Sequence, residues 1–200
     1  MKKYALLVVL FFAGLILSAI NPHDYFTWIL EVFPAIIGFF VLILTFKRFR
    51  FTYLTYTMIL VHCYILFIGG HYTYAQVPLF NWVRDVFHQH RNNYDKVGHF
   101  TQGFVPAMIA TEIFTRLEVI KKKGWMPFLV VCVCATISVL YELLEWLVSV
   151  SSGSAGDSFL GTQGDIWDTQ SDMLFAIIGA TCMVLILSKV LIRACLNFIQ

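Results

Sequence analysis

Six long apolar runs constrain this chain more than any other feature: Tyr4 to Ile20, Trp28 to Phe46, Tyr53 to Gly69, Val97 to Leu117, Pro127 to Val148 and Met173 to Ile192. Each is close to the roughly 20 residues with which an α-helix crosses about 30 Å of hydrocarbon. Composition agrees: 59% of residues are hydrophobic and 13% charged, against roughly 45–50% and 25% in an ordinary soluble domain, so the surplus apolar surface needs lipid as its solvent. The expected fold is all-α, a polytopic transmembrane bundle of about six helices forming one integral membrane domain over residues 1–200. The third and fourth runs are the most polar. One contains His62, the other His99, Gln102, Pro106 and Glu112, and both are expected to turn those residues toward neighbouring helices.

Basic residues set the orientation. With the amino terminus inside, Lys2, Lys3, Lys47, Arg48, Arg50, Arg116, Lys121, Lys122, Lys123, Lys189 and Arg193 face the cytoplasm, and only Arg84, Arg91 and Lys96 lie outside. Eleven against three is a positive-inside bias that puts both termini in the cytoplasm of a bacterial inner membrane. Of the acidic residues only Glu112 and Glu118 fall on the inner half, so the outer face is acidic. The net charge of +2 and the scatter of the cations exclude a nucleic-acid partner and leave membrane lipids as the implied one. Cys63, Cys132, Cys134, Cys182 and Cys195 all lie in or beside apolar runs, so no external disulfide framework is expected. Met1 to Ala19 also has the outline of a secretory signal, but its apolar stretch is long and Ser18-Ala19 is a weak cleavage site. Cleavage or retention leaves the remaining topology unchanged.

The outer loops differ in character. Gly70 to Lys96 is long and aromatic, and within it Leu79, Trp82, Val83 and Val86 follow Pro78 at helical spacing, which predicts a short helix in the membrane interface. Ser149 to Asp172 opens with Ser151-Ser152-Gly153-Ser154-Ala155-Gly156 and then turns acidic. The following Gly156-Asp157-Ser158-Phe159-Leu160-Gly161 lacks the spacing of a nucleophile turn.

Polar residues concentrate where three helices reach the outer surface. Asp95 and His99 stand one turn apart at the start of the fourth run, with Gln102 a turn further. Ser138, Glu142 and Glu145 form a stripe near the end of the fifth, and Asp165, Asp168 and Asp172 recur at helical spacing before the sixth. Aspartates at helix starts can serve as caps. Glu142 and Glu145 are harder to explain that way, because the carboxyl-terminal end of a helix disfavours negative charge, and Arg91, Lys96 or a metal ion should compensate them. Glu112 has a local partner in Arg116. The candidate acid/base groups are Glu142, His99 and Asp95. The candidate ligands of a divalent metal ion are Glu142, Asp165, Asp168 and His99, and Arg91, Lys96, His71, Glu145 and Asp172 are candidate substrate contacts. This pattern suits a metal-dependent envelope enzyme acting on a lipid or lipid-linked substrate. The alternative is a non-catalytic protein binding a lipid or protein partner, or a small-solute transporter, in which the carboxylates tether loops.

Gly69-Gly70-His71-Tyr72-Thr73-Tyr74, Asp95-Lys96-Val97-Gly98-His99-Phe100, Tyr141-Glu142-Leu143-Leu144-Glu145-Trp146 and Gly164-Asp165-Ile166-Trp167-Asp168-Thr169-Gln170-Ser171-Asp172 resemble the YjdF family of bacterial inner-membrane proteins over most of the chain. The resemblance implies that location. A shorter likeness to VanZ-like proteins, on Asp95-Lys96-x-x-His99-Phe100, a Glu in the next helix and an acidic helix start, implies a role at the cell envelope.

Overall fold

A computed structural model describes residues 2–152 and 162–199. The segment 153–161, which contains most of the glycine-serine stretch, Asp157 and the Gly156–Gly161 turn, and residues 1 and 200 lie outside the described residues. Among the described residues the secondary structure is entirely helical: α1 (Lys2–Ser18), α2 (Tyr25–Thr45), α3 (Tyr53–His71), α4 (Pro78–Val86), α5 (Tyr94–Arg116), α6 (Met126–Ser152), α7 (Asp168–Ile186) and α8 (Ser188–Ile199). Four of these, α2, α3, α6 and α7, are long and apolar enough to cross a membrane. The other two helices in the apolar runs are α1, 17 residues long, and α5, whose 23 residues include Asp95, Lys96, His99 and Glu112.

Local chemistry accounts for the helix ends. Asp24 caps α2, its Oδ2 accepting the Thr27 N–H at 2.7 Å. Hydrogen bonding from Thr27 holds this carboxyl below its ordinary pKa. Thr52 caps α3 through the Thr55 N–H, and Pro78 opens α4, where its missing N–H costs nothing. The short helix expected after Pro78 is α4, with Leu79, Trp82 and Val86 exposed along it. The sixth run is a correction. The helix begins earlier, at Asp168, and stops at Ile186, after which α8 follows as a separate amphipathic element. Ser188 Oγ donates to the Val184 carbonyl at 2.5 Å, competing with the backbone ladder at the break. Beyond it α8 buries Leu191 and Cys195 while Lys189 and Arg193 stay exposed. Burial of those apolar residues against α5 outweighs continuation of a straight helix.

Helix α5 is the hub, packing on α3, α6, α7 and α8, while α1 and α2 pack on α3. One apolar core joins Ala107 and Met108 of α5 to Val130, Cys134, Ala180, Met183, Leu191 and Cys195. A second joins Phe11, Val32, Ala35, Cys63 and Phe67 across α1 to α3. All five cysteines are free, and Cys134 is buried where Cys132 is partly exposed, as their spacing on a helix requires. The α5–α7 crossing is the tightest. A Cβ on Gly103 would lie 1.8 Å from the Ala176 carbonyl oxygen, and one on Gly179 2.0 Å from that of Phe100. With no side chain at either position the two backbones touch, the small-residue packing by which helices associate where lipid removes the hydrophobic drive.

At the end of the bundle near Arg116, Glu112 ties α5 to α3. It is fully buried. Its Oε1 accepts the Thr52 N–H (2.7 Å) and Arg116 Nη1 (3.1 Å), and its Oε2 accepts the hydroxyls of Thr55 (2.8 Å) and Thr52 (3.1 Å). The expected Arg116 partner is present, and the threonines satisfy the remaining lone pairs.

Candidate functional site

The opposite end of the bundle gathers the polar residues. Because α5 and α7 touch through glycine and run in the same direction, their first turns lie side by side, bringing Asp95, Lys96 and His99 against Asp168 and Asp172. Lys96 Nζ donates to Asp168 Oδ1 (2.7 Å) and Asp172 Oδ1 (2.8 Å). Arg91 Nη1 donates to the same Asp168 oxygen at 2.5 Å and meets Asp165 at 3.4 Å, while Nη2 pairs with Asp95. Burial works against the Arg91 charge, but Asp95 and Asp168 outweigh it and raise its pKa further.

Capping is therefore not all that these aspartates do, although Asp95 Oδ1 accepts the Lys96 N–H at 2.8 Å in the first turn of α5. The residues at the cap positions are Asn93 and Trp167, neither with a side-chain cap bond, and Asp95, Asp168 and Asp172 are engaged with cations. A clamp in the preceding loops holds the arrangement. Asn92, fully buried, donates Nδ2 to the Val77 carbonyl (3.0 Å) and to Asn81 Oδ1 (2.9 Å), and exchanges two hydrogen bonds with the side chain of Gln163.

Below the ion pairs lies a cavity of about 200 Å³. His99, Asp95, Asp168 and Asp172 line it together with Glu31, His62, Tyr74, Tyr141 and Glu145. His99 Nδ1 lies 2.9 Å from Gln102 Oε1 and 3.6 Å from Glu142 Oε1, with Nε2 3.7 Å from Asp172 Oδ1. Glu142 is 6% exposed, and its Oε1 has no hydrogen-bond partner among the described residues. Two triads place one ligating atom per residue within 4.8 Å of one another: His99, Glu142 and Asp172, and Asp95, Asp168 and Asp172. The second is already filled by Arg91 and Lys96. The first contains one imidazole and two carboxylates, and it shares Asp172, whose Oδ1 already accepts from Lys96 Nζ at 2.8 Å.

Several expected site residues thus converge: Asp95, His99, Glu142, Asp168 and Asp172 with Arg91 and Lys96, and Glu145 in the cavity wall. Asp165 stays at the mouth, its Oδ1 accepting the Trp167 N–H at 2.9 Å and its side chain 36% exposed. His71 is elsewhere, with Nδ1 2.9 Å from the Ser18 carbonyl oxygen. The neighbour Glu142 meets at 3.6 Å is His99, whereas Arg91 and Lys96 meet the aspartates.

Residue-by-residue reading of the sequence missed Glu31, His62 and Tyr74 as cavity residues. Glu31 had a signal, a lone carboxylate inside an apolar run, which membrane energetics mark as functional by default. Tyr74 had none. Thr73 and Tyr74 both adopt positive φ (51° and 54°), a region that non-glycine residues occupy at a cost. That turn sends the Tyr74 ring through a gap between two helices, where a Cβ on Gly69 would come within 2.2 Å of it and one on Gly98 within 2.9 Å. Its hydroxyl faces Glu31. Burial first, then the Glu31 charge, pushes the phenol pKa well up, so it remains a hydrogen-bond donor.

Comparison with known proteins places this architecture. No solved structure matches the chain. It is 47% identical over 175 residues to the inner membrane protein YjdF of Escherichia coli (strain K12), covering 88% of this chain and 84% of the relative. The likeness to VanZ-like proteins rests on its short motif alone. Residues 3–193 match the family described as predicted membrane protein (DUF2238), and the chain, an all-helical membrane protein with a buried acid-histidine pocket at one end, belongs to that family.

Proposed function

We propose that this chain is a single membrane domain of six spans, α1, α2, α3, α5, α6 and α7, with both termini cytoplasmic, α4 in the outer interface, and an outward-facing pocket that binds a divalent metal ion at His99, Glu142 and Asp172. The basic-residue bias supports the orientation. The metal reading is carried by one observation: three buried ligating side chains from three helices lie within 4.8 Å of one another, and one of their oxygens, Glu142 Oε1, has no hydrogen-bond partner among the described residues. Two buried carboxylates so close are held by a cation or by a proton between them, and Lys96 reaches Asp172 but is not paired with Glu142 among the described residues. Gln102 supports the same role. An Nδ1–H of His99 donated to Gln102 Oε1 leaves Nε2 the free lone pair of the ring, the outer hydrogen bond by which ligating histidines are oriented.

Three protein ligands leave coordination positions open for water or substrate. Two of the three ligands, His99 and Asp172, line the cavity, whose volume suits an ion with a few waters and one small polar group, so the substrate is a small polar molecule or the polar end of a lipid-linked one. Arg91 and Lys96, engaged with aspartates, brace the site. A second reading follows from those same ion pairs: the aspartates tether the loops and the protein is non-catalytic.

Elemental analysis of purified protein separates the two. Stoichiometric divalent metal in the parent and in Asp165→Asn, lost in Glu142→Gln and in Asp172→Asn, is the expected result. Metal content at background in the parent protein after purification in metal-supplemented buffer leaves the tether reading.

A further inference from the structure

At the end of the bundle opposite the acid pocket lies a larger groove of about 500 Å³ between the last turns of α5, the start of α6, the end of α7 and one face of α8. Its wall is largely apolar, built from Phe114, Ile120, Val130, Val184, Ile192 and Leu196. Thr111, Thr115, Glu118, Lys121 and Ser188 break that wall with polar groups, and two of them bear on a ligand. Lys121 lines the mouth, beside exposed Lys122. Deeper in, Thr111 also lines the groove; it is 1% exposed and its hydroxyl has no hydrogen-bond partner among the described residues.

The segments bordering the groove carry Lys121, Lys122, Lys189 and Arg193, all exposed, against one lining carboxylate, Glu118. The nearby Arg116 and Glu112 pair with each other. Trp125 and Phe128, both exposed and edge to face at 6.0 Å, stand where α6 begins. Aromatic residues at a helix end mark the headgroup level of a bilayer. The groove therefore joins a cationic mouth at that level to an apolar interior.

We propose that this groove is a binding site for an anionic phospholipid, with one acyl chain along Phe114, Val130, Val184 and Leu196, the phosphate on Lys121 and Lys122, and an ester carbonyl on the Thr111 hydroxyl. Each part answers a property of the wall. The apolar lining takes the chain, the excess of cations takes the charge, and the orphan hydroxyl takes the carbonyl. The leaflet is the cytoplasmic one under the orientation argued above; the site itself depends neither on that orientation nor on the metal pocket.

Native mass spectrometry of the full chain in detergent tests this, with phosphatidylglycerol and phosphatidylcholine of identical acyl chains as probes. Phosphatidylglycerol should bind preferentially at one copy per chain. Lys121→Gln/Lys122→Gln should weaken it on the order of thirtyfold, about fivefold for each lysine near the membrane surface. Leu196→Trp, at a half-exposed position that tolerates bulk, should remove binding by filling the groove. Equal retention of both lipids, unchanged affinity in the double lysine variant, unchanged binding in Leu196→Trp, or displacement of the lipid by inorganic phosphate would each overturn the assignment. Topology reporters and metal analysis read the other proposals separately, so their failure is distinguishable from this one.

Discussion

Replacing Gly103 with alanine adds one methyl group where two backbones meet. The new Cβ would lie 1.8 Å from the Ala176 carbonyl oxygen and 2.6 Å from its carbon. Ordinary contact begins near 3.4 Å, so α5 and α7 must part locally by about 3.4 − 1.8 = 1.6 Å. No side-chain rotation relieves the clash, because the obstacle is main chain. Overpacking a core with flexible neighbours costs about 1–3 kcal/mol, and a rigid neighbour puts this variant at or above the upper end, about 3 kcal/mol or more. For a chain of this size that is a fall in Tm on the order of 6–12 °C. Gly38→Ala in α2, where a Cβ meets nothing within 4 Å, should be neutral or stabilising by up to about 1 kcal/mol through helix propensity. Thermal unfolding in one detergent, with the two variants side by side, reads the difference. A Gly103→Ala protein melting within a degree or two of Gly38→Ala would refute the backbone-contact account of how the pocket is assembled.

Lys96→Met should destabilise by about 3–5 kcal/mol, because it strands Asp172 and leaves Asp168 to Arg91 alone; adding Asp172→Asn should recover part of that loss, and no recovery in the double variant would show that the pair is not coupled. Asp24→Ala should cost about 1 kcal/mol by removing the α2 cap. Since the folded-state carboxyl titrates below its unfolded value, this contribution is present above about pH 4 and is lost as pH falls through the folded pKa, so the Tm gap between parent and variant should narrow in acid; a gap constant from pH 7 to pH 3 contradicts the charged cap. Reporters fused after Lys123 or at residue 200 should read cytoplasmic and those within 151–156 extracytoplasmic; an external signal at Lys123 inverts the proposed topology.

The amino-acid sequence by itself determined what depends on short range. Apolar length specified helices suited to lipid, and Pro78 with the spacing after it specified α4. Helical periodicity put Asp95 with His99 on one face and Glu112 one turn from Arg116, because residues four apart on a helix are neighbours whatever else the chain does. Tertiary structure decided which charge meets which. Asp172, rather than Asp165, joins His99 and Glu142, since Asp165 precedes α7 whereas Asp172 lies on it, and Gly103 and Gly179 let α5 and α7 touch. Lys96 and Arg91 were expected to compensate the glutamates but meet the aspartates, which the Asn92–Gln163 clamp brings within reach. Glu31 and Tyr74 enter the pocket from α2 and from a strained turn, and their separation from Glu145 along the chain holds no periodicity to read. The sixth apolar run broke at Ser188 because α8 gained burial against α5. Helix formation is encoded within a few residues, whereas ion pairing across helices depends on how closely their backbones approach, and here two absent side chains set that distance.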